Sequence, residues 1–143
     1  RFGPGDKVLA SAGKDQVVRI WDPSSGRQLH RLEGHEGEVR DMAFFSTGDR
    51  LASVSWLPSA TNDQSLRIWD LNSGKLVHRV SLTGNGSPSV AVSPDGNTVA
   101  TARPDGDVDL WDANSGARLR TESMSSVPVR SLAFLNNGNT LAS

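Results

Sequence analysis

Short apolar runs alternate with turn-forming residues along the whole chain. The runs "VRDMAFF", "SVAVS" and "VRSLAF" are each followed by a glycine-bearing polar turn: "STGDR", "SPDGN" and "NNGN". A second run comes next, as "LASVS", "VATA" and "TLAS", with "VLASA" near the start of the chain. A third carries "VVRIWD", "SLRIWD" and "DVDLWD". Strand-type residues are spread evenly, Gly and Pro punctuate often, and no long stretch has helical period, so the pattern predicts an all-β chain of short strands. Gly48, Gly96 and Gly138 are placed to take the positive φ that reverses a hairpin. After the third run, an Asp opens and a Gly closes a tight turn, at Asp22 and Gly26, Asp70 and Gly74, and Asp112 and Gly116. A polar fourth strand follows, with His30, His78 and Arg120 in equivalent places.

The pattern is a repeat. Trp21, Trp69 and Trp111 each precede an Asp, at intervals of 48 and 42 residues. The six extra residues lie between Ser53 and Asp63, which are ten apart where Ser11 and Asp15, and Thr101 and Asp105, are four apart. "WLPSAT" (56–61) is therefore an insertion into a 42-residue unit. A period in the low forties built of short strands is a signature of propeller blades. Ala10, Ala52, Ala100 and Ala142 recur in the second strand, where small residues suit the crowded region near a propeller axis.

From Val8 to Ser143 the chain resembles the WD40 family. The resemblance rests on the three Trp-Asp pairs, on Gly34-His35, on "SPDG" at Ser93–Gly96 and on the strand order. It implies a β-propeller of four-stranded antiparallel blades. Residues 2–33 form a blade lacking its first strand, 38–81 a complete blade with the 56–61 insertion, 88–122 a second complete blade, and 128–143 the start of another. Closed propellers have about four to eight blades, so this is an incomplete ring. Its terminal faces need a cover, from the rest of a longer chain or from another copy. In the second case Val129–Phe134 of one copy lies beside Val8–Ala12 of the other.

The resemblance also implies a structural hydrogen-bond chain of His, hydroxyl, Asp and Trp. The central repeat supplies His35, Asp63 and Trp69, with Ser55 or Thr61 as the hydroxyl. The first repeat has Asp15 and Trp21 but Gly13 at the hydroxyl position. The third has Asp105 and Trp111 but Arg103 there, and the last has Ser125 in the His place. The central blade is thus expected to be the best locked. His, Ser and Asp also make a hydrolase triad, but a nucleophile needs an exposed oxygen and an oxyanion pocket, so a buried tie is the stronger reading.

Charge narrows the functions. The net charge is −1; residues 1–80 carry 11 basic and 10 acidic groups, residues 81–143 carry 4 and 6. That balance gives no electrostatic case for nucleic acid or a membrane surface. With no cysteine, disulfides and thiolate metal sites are excluded. The compartment is undetermined, with the cytoplasm favoured. "DGDVD" (105–109) lacks the glycine and glutamate of a calcium loop, "GHEGE" (34–38) lacks a second histidine, and His30 and His78 read as solvated edge residues. "NGS" (85–87) is a glycosylation acceptor by pattern alone. No catalytic residue, cofactor or metal is expected. Trp56 stands outside the repeat beside a proline-bearing insertion and is a candidate binding anchor. Lys14, Arg40, Arg103 and Arg130 are candidates for a basic rim around it. The leading reading is a non-catalytic scaffold presenting loops to a protein or peptide. The alternatives are an enzyme on another propeller type, a quinoprotein dehydrogenase or a glycosidase, and a purely structural array.

Overall fold

The short apolar runs become thirteen short strands in the computed structural model, which describes residues 1–57, 64–82, 88–135, 138 and 140–143. Strands β1 (Leu9–Ser11), β2 (Val18–Trp21) and β3 (Gln28–Leu32) form the first sheet. The second holds β4 (Glu38–Phe44), β5 (Arg50–Trp56), β6 (Ser65–Asp70) and β7 (Lys75–Ser81). The third holds β8 (Val90–Val92), β9 (Thr98–Ala102), β10 (Asp107–Asp112) and β11 (Arg118–Ser123). The last is the pair β12 (Ala133–Leu135) and β13 (Thr140–Ala142). Each strand pairs antiparallel with its sequence neighbour, and the sheets do not close into a ring.

The first sheet has more than the repeat pattern indicates. Arg1 and Ala10 exchange backbone hydrogen bonds of 2.7 and 2.9 Å, Phe2 bridges Leu9, and Gly3 donates to the Val8 carbonyl. Residues 1–3 therefore occupy the slot beside β1 that was expected to be empty, or filled by Val129–Phe134 of another copy. The reversal uses Gly5 and Asp6, both at positive φ, in place of the glycine turn of the later repeats. In those repeats Gly48, Gly96 and Gly138 do take positive φ.

Each strand alternation sends one set of side chains forward and the other back. Between the first and second sheets, Ala10, Val18, Ile20 and Leu32 pack with Leu51 and Trp69. Between the second and third, Ala52, Val54, Leu66 and Ile68 pack with Val99 and Trp111. Between the third and last, Ala100, Val108 and Leu110 pack with Val129 and Leu132. Each buried indole thus faces the preceding sheet, and a recurring alanine leaves room for it. Such an indole removes about 150–250 Å² from water, which makes these layers the main stabilising contact of the fold.

The tight turns after the third strands are built alike. Asp22 accepts from the Ser24 N–H at 2.9 Å, Asp70 from the Ser73 N–H at 2.7 Å, and Asp112 from the Ser115 N–H at 2.7 Å. Gly26, Gly74 and Gly116 close them at positive φ. Two of these turns also serve as neighbours' docking points. A Cβ on Gly74 would sit 2.6 Å from His30 Nδ1. The His78 Nε2 lies 2.7 Å from the Asn114 carbonyl oxygen. His30 and His78 are therefore half-buried links between sheets, and not the solvated edge residues expected.

Candidate functional site

The central repeat holds a buried polar tie. His35, on the loop before β4, places Nε2 2.7 Å from Ser53 Oγ, and the Trp69 indole N–H donates to the same oxygen at 2.8 Å. Ser53, not Ser55 or Thr61, is therefore the hydroxyl between histidine and tryptophan. Register explains the correction. Trp69 pairs directly with Leu51, which makes Ser53 its diagonal neighbour on the same face. Ser55 lies one step further, opposite Ser65, and meets that hydroxyl at 3.3 Å. The Ser65 hydroxyl in turn lies 3.3 Å from His35 Nδ1, so Ser55 belongs to the network at one remove. Thr61 and Asp63 lie outside the described residues.

The same diagonal bond recurs in the other repeats. Trp21 donates to Ser11 Oγ at 2.9 Å and Trp111 to Thr101 Oγ1 at 2.8 Å. Gly13 and Arg103 are thus not at the hydroxyl position, and the first and third repeats lack no hydroxyl. Constant spacing was the available signal: Ser11 and Thr101 each precede their tryptophan by ten residues. Ser53 is fully buried, so no substrate reaches it, and the His35–Ser53–Trp69 arrangement acts as a tie between loop and strands.

Arg67 extends this tie, donating from Nη2 to the Gly34 carbonyl. Gly34 has φ 134°, and a Cβ there would fall 2.4 Å from Arg67 Nη1. Only glycine lets the loop approach the buried guanidinium so closely.

The candidate contact residues lie at the end of the sheets that bears the His35 loop. Glu38, at the start of β4, pairs with Trp56, at the end of β5. Trp56 is half-buried, and the Arg40 guanidinium carbon lies 5.1 Å from its ring centroid. Arg40 also approaches Glu38 at 3.4 Å. Lys14 is exposed in the turn after β1. Arg40 and Arg130 line one pocket of about 280 Å³ together with Arg1, Asp41, Ser89 and Leu132. Arg1 and Asp41 did not figure among the candidates from sequence. Asp41 is fully engaged: its Oδ2 accepts from Ser89 Oγ at 2.8 Å and Val90 N at 3.0 Å, and its Oδ1 from Met42 N at 2.8 Å.

Arg103 does different work. It pairs with Asp105 at 2.9 Å and lies 3.8 Å from Asp107 and 4.0 Å from the buried Asp109. In the first repeat, Arg19 stands where Asp109 stands in the third, and it pairs with Asp15. The third repeat has exchanged that strand arginine for an acid and supplies the positive charge from Arg103 instead. Its charge is spent within its own sheet. Among the described residues, no three His, Cys, Asp or Glu side chains converge to hold a metal ion.

Radially packed four-stranded sheets, each with an indole bonded to a hydroxyl of the neighbouring strand and facing the previous sheet, define a class of repeat protein. The family description "WD domain, G-beta repeat" matches residues 1–22, 26–70 and 74–112, and the chain belongs to that family. Among curated relatives, it is 46% identical over 39 residues to "Probable serine/threonine-protein kinase PkwA" of Thermomonospora curvata, covering 27% of this chain and 5% of that one. It is 45% identical over 42 residues to "Nuclear distribution protein nudF 1" of Talaromyces marneffei, covering 29% and 9%. To "Coronin-7" of Rattus norvegicus it is 40% identical over 55 residues, covering 38% and 6%. The chain thus spans a small part of the length of each.

Proposed function

We propose that the chain is part of a non-catalytic scaffold that presents the His35-loop end of its sheets to a protein or peptide. Family membership supports the general role, since repeats of this kind serve as protein-interaction scaffolds. The kinase relative matches over 5% of its length, which brings no catalytic machinery to this chain. The observation that carries the reading is Trp56. Its large ring sits at the end of β5, with the Arg40 guanidinium carbon 5.1 Å from its centroid. A partly buried aromatic with a neighbouring arginine is the side-chain pair that most often anchors an interface. Further sheets, from a longer chain or another copy, complete the ring and hold this end rigid.

The test is affinity capture with wild type, Trp56→Ala and, as a control on an outer strand, Arg31→Ala. A partner retained by wild type and Arg31→Ala, and weakened about tenfold or more by Trp56→Ala, supports the reading. An identical set of retained proteins with all three would refute it.

A further inference from the structure

We infer that the pocket between Arg40 and Arg130 binds the anionic side chain of a peptide, a carboxylate or a phosphorylated hydroxyl. The inference rests on the interaction-surface reading and names the chemistry that surface selects.

Arg1, Arg40 and Arg130 line a pocket of about 280 Å³ together with a single carboxylate residue, Asp41, and the Arg1 guanidinium is also held by the Met42 carbonyl. That carboxylate is not free to neutralise them. It holds Ser89, Val90 and Met42, and Arg1 approaches it at 3.5 Å. Besides its stacking on Trp56, Arg40 has a contact with Glu38 at 3.4 Å, a kind of pair worth little and easily exchanged. Arg130 is exposed and, among the described residues, makes no hydrogen bond or ion pair. Like charges gathered at one mouth repel unless an anion joins them. The planar fork of arginine suits a carboxylate or phosphate in bidentate fashion.

The surroundings select the size of that anion. The whole chain carries −1, and acids outnumber bases beyond residue 80, so the positive field is local. A nucleic acid needs a basic stripe along many phosphates. A single compact anionic group fits a pocket of this size. Trp56, packed on Arg40, supplies an apolar plane next to it for the rest of the peptide.

The test is fluorescence polarisation on the full chain with three labelled peptide pools. Each pool has random flanks and a central Glu, phosphoserine or Ala. The proteins are wild type, Arg40→Ala, Arg130→Ala and Arg31→Ala, the last removing a cation on the outer strand β3, away from the pocket. Wild type should bind the Glu or phosphoserine pool about tenfold tighter than the Ala pool. That advantage should vanish in both pocket variants and survive in Arg31→Ala, with thermal midpoints unchanged. A preference for phosphoserine over Glu, or the reverse, identifies the source of the anion. Equal binding of all pools overturns the inference, as does an acid preference that survives in Arg40→Ala and Arg130→Ala or falls equally in Arg31→Ala. Tighter binding of a duplex DNA oligonucleotide than of any pool also overturns it. A captured partner that needs Trp56 but ignores Arg130 leaves the scaffold standing and removes only the anion pocket.

Discussion

The imidazole of His78 reaches across a sheet boundary to place Nε2 2.7 Å from the carbonyl oxygen of Asn114. His30 stands in the same relation to the preceding boundary, against Gly74. The two histidines are one repeat apart, so a single outer-strand position meets the next sheet's turn at the first two boundaries.

This geometry ranks two glycines. Both Gly74 and Gly116 have positive φ, where an alanine costs about 1 kcal/mol or more. At Gly116 the new Cβ meets His78 at 3.4 Å, but at Gly74 it would fall 2.6 Å from His30 Nδ1. Gly74→Ala should therefore lose about 2–3 kcal/mol and Gly116→Ala about 1 in denaturant unfolding.

Ser53→Ala removes the oxygen shared by the Trp69 indole and His35, both buried. A loss of about 2–3 kcal/mol is expected, because two polar groups lose a partner in a dry site. Ser11→Ala, which breaks the same bond at the half-exposed Trp21, should cost under about 1 kcal/mol because water replaces the hydroxyl. Equal losses at the two positions would contradict the role assigned to burial.

Arg103→Ala removes the ion pairs with Asp105 and Asp107 and leaves the buried Asp109 with Thr121 and with the exposed Arg118 guanidinium at 3.8 Å. Stability should fall by about 1–2 kcal/mol, and Asp109→Asn in the same chain should restore part of it. If Arg103 served a partner instead, the single variant would leave the unfolding midpoint unchanged.

Turn carboxylates set an acid limit. The hydroxyls of Ser24 and Ser25, followed by the Ser24 N–H, hold the Asp22 carboxyl down at about 2, against an ordinary 3.8. The Ser73 hydroxyl and N–H lower Asp70, and the Ser115 N–H and hydroxyl lower Asp112. A carboxylate depressed by folding stabilises the fold above its ordinary pKa, and that contribution fades as pH falls through the folded value. The Asp22 turn should thus stay ionised and intact at pH 4 and loosen between about 4 and 2. Carboxyl carbon shifts followed by NMR check this; an Asp22 midpoint near 3.8 would contradict it.

Strand order, turn glycines and the buried indoles were legible in the sequence because each depends on local spacing. The 42-residue period fixes which residues share a strand, and the Asp and Gly of each turn act within five residues. What the sequence left open depends on pairing across strands. The tryptophan bonds its diagonal neighbour, so Ser53 follows only once Trp69 is set opposite Leu51. Residues 1–3 are too few to show alternation, and only their hydrogen bonds to Val8 and Ala10 reveal the added strand. Arg103 looked like a free cation because its three acids lie two, four and six residues on, in a turn and strand whose geometry a linear reading does not supply.

The backward aim of the tryptophans gives the stack a sense of direction, like nested cups. Trp69 and Trp111 are 2% and 7% exposed because the sheet ahead of each offers an alanine floor. Trp21 points the same way over Ser11 and is only half-buried. Whatever seals that side has to present small side chains to it. Two such sides meeting about a two-fold axis would set indole against indole, with no floor for either. A further sheet on that side would therefore join head-to-tail, offering its back to Trp21, and a two-fold-related copy would not fit.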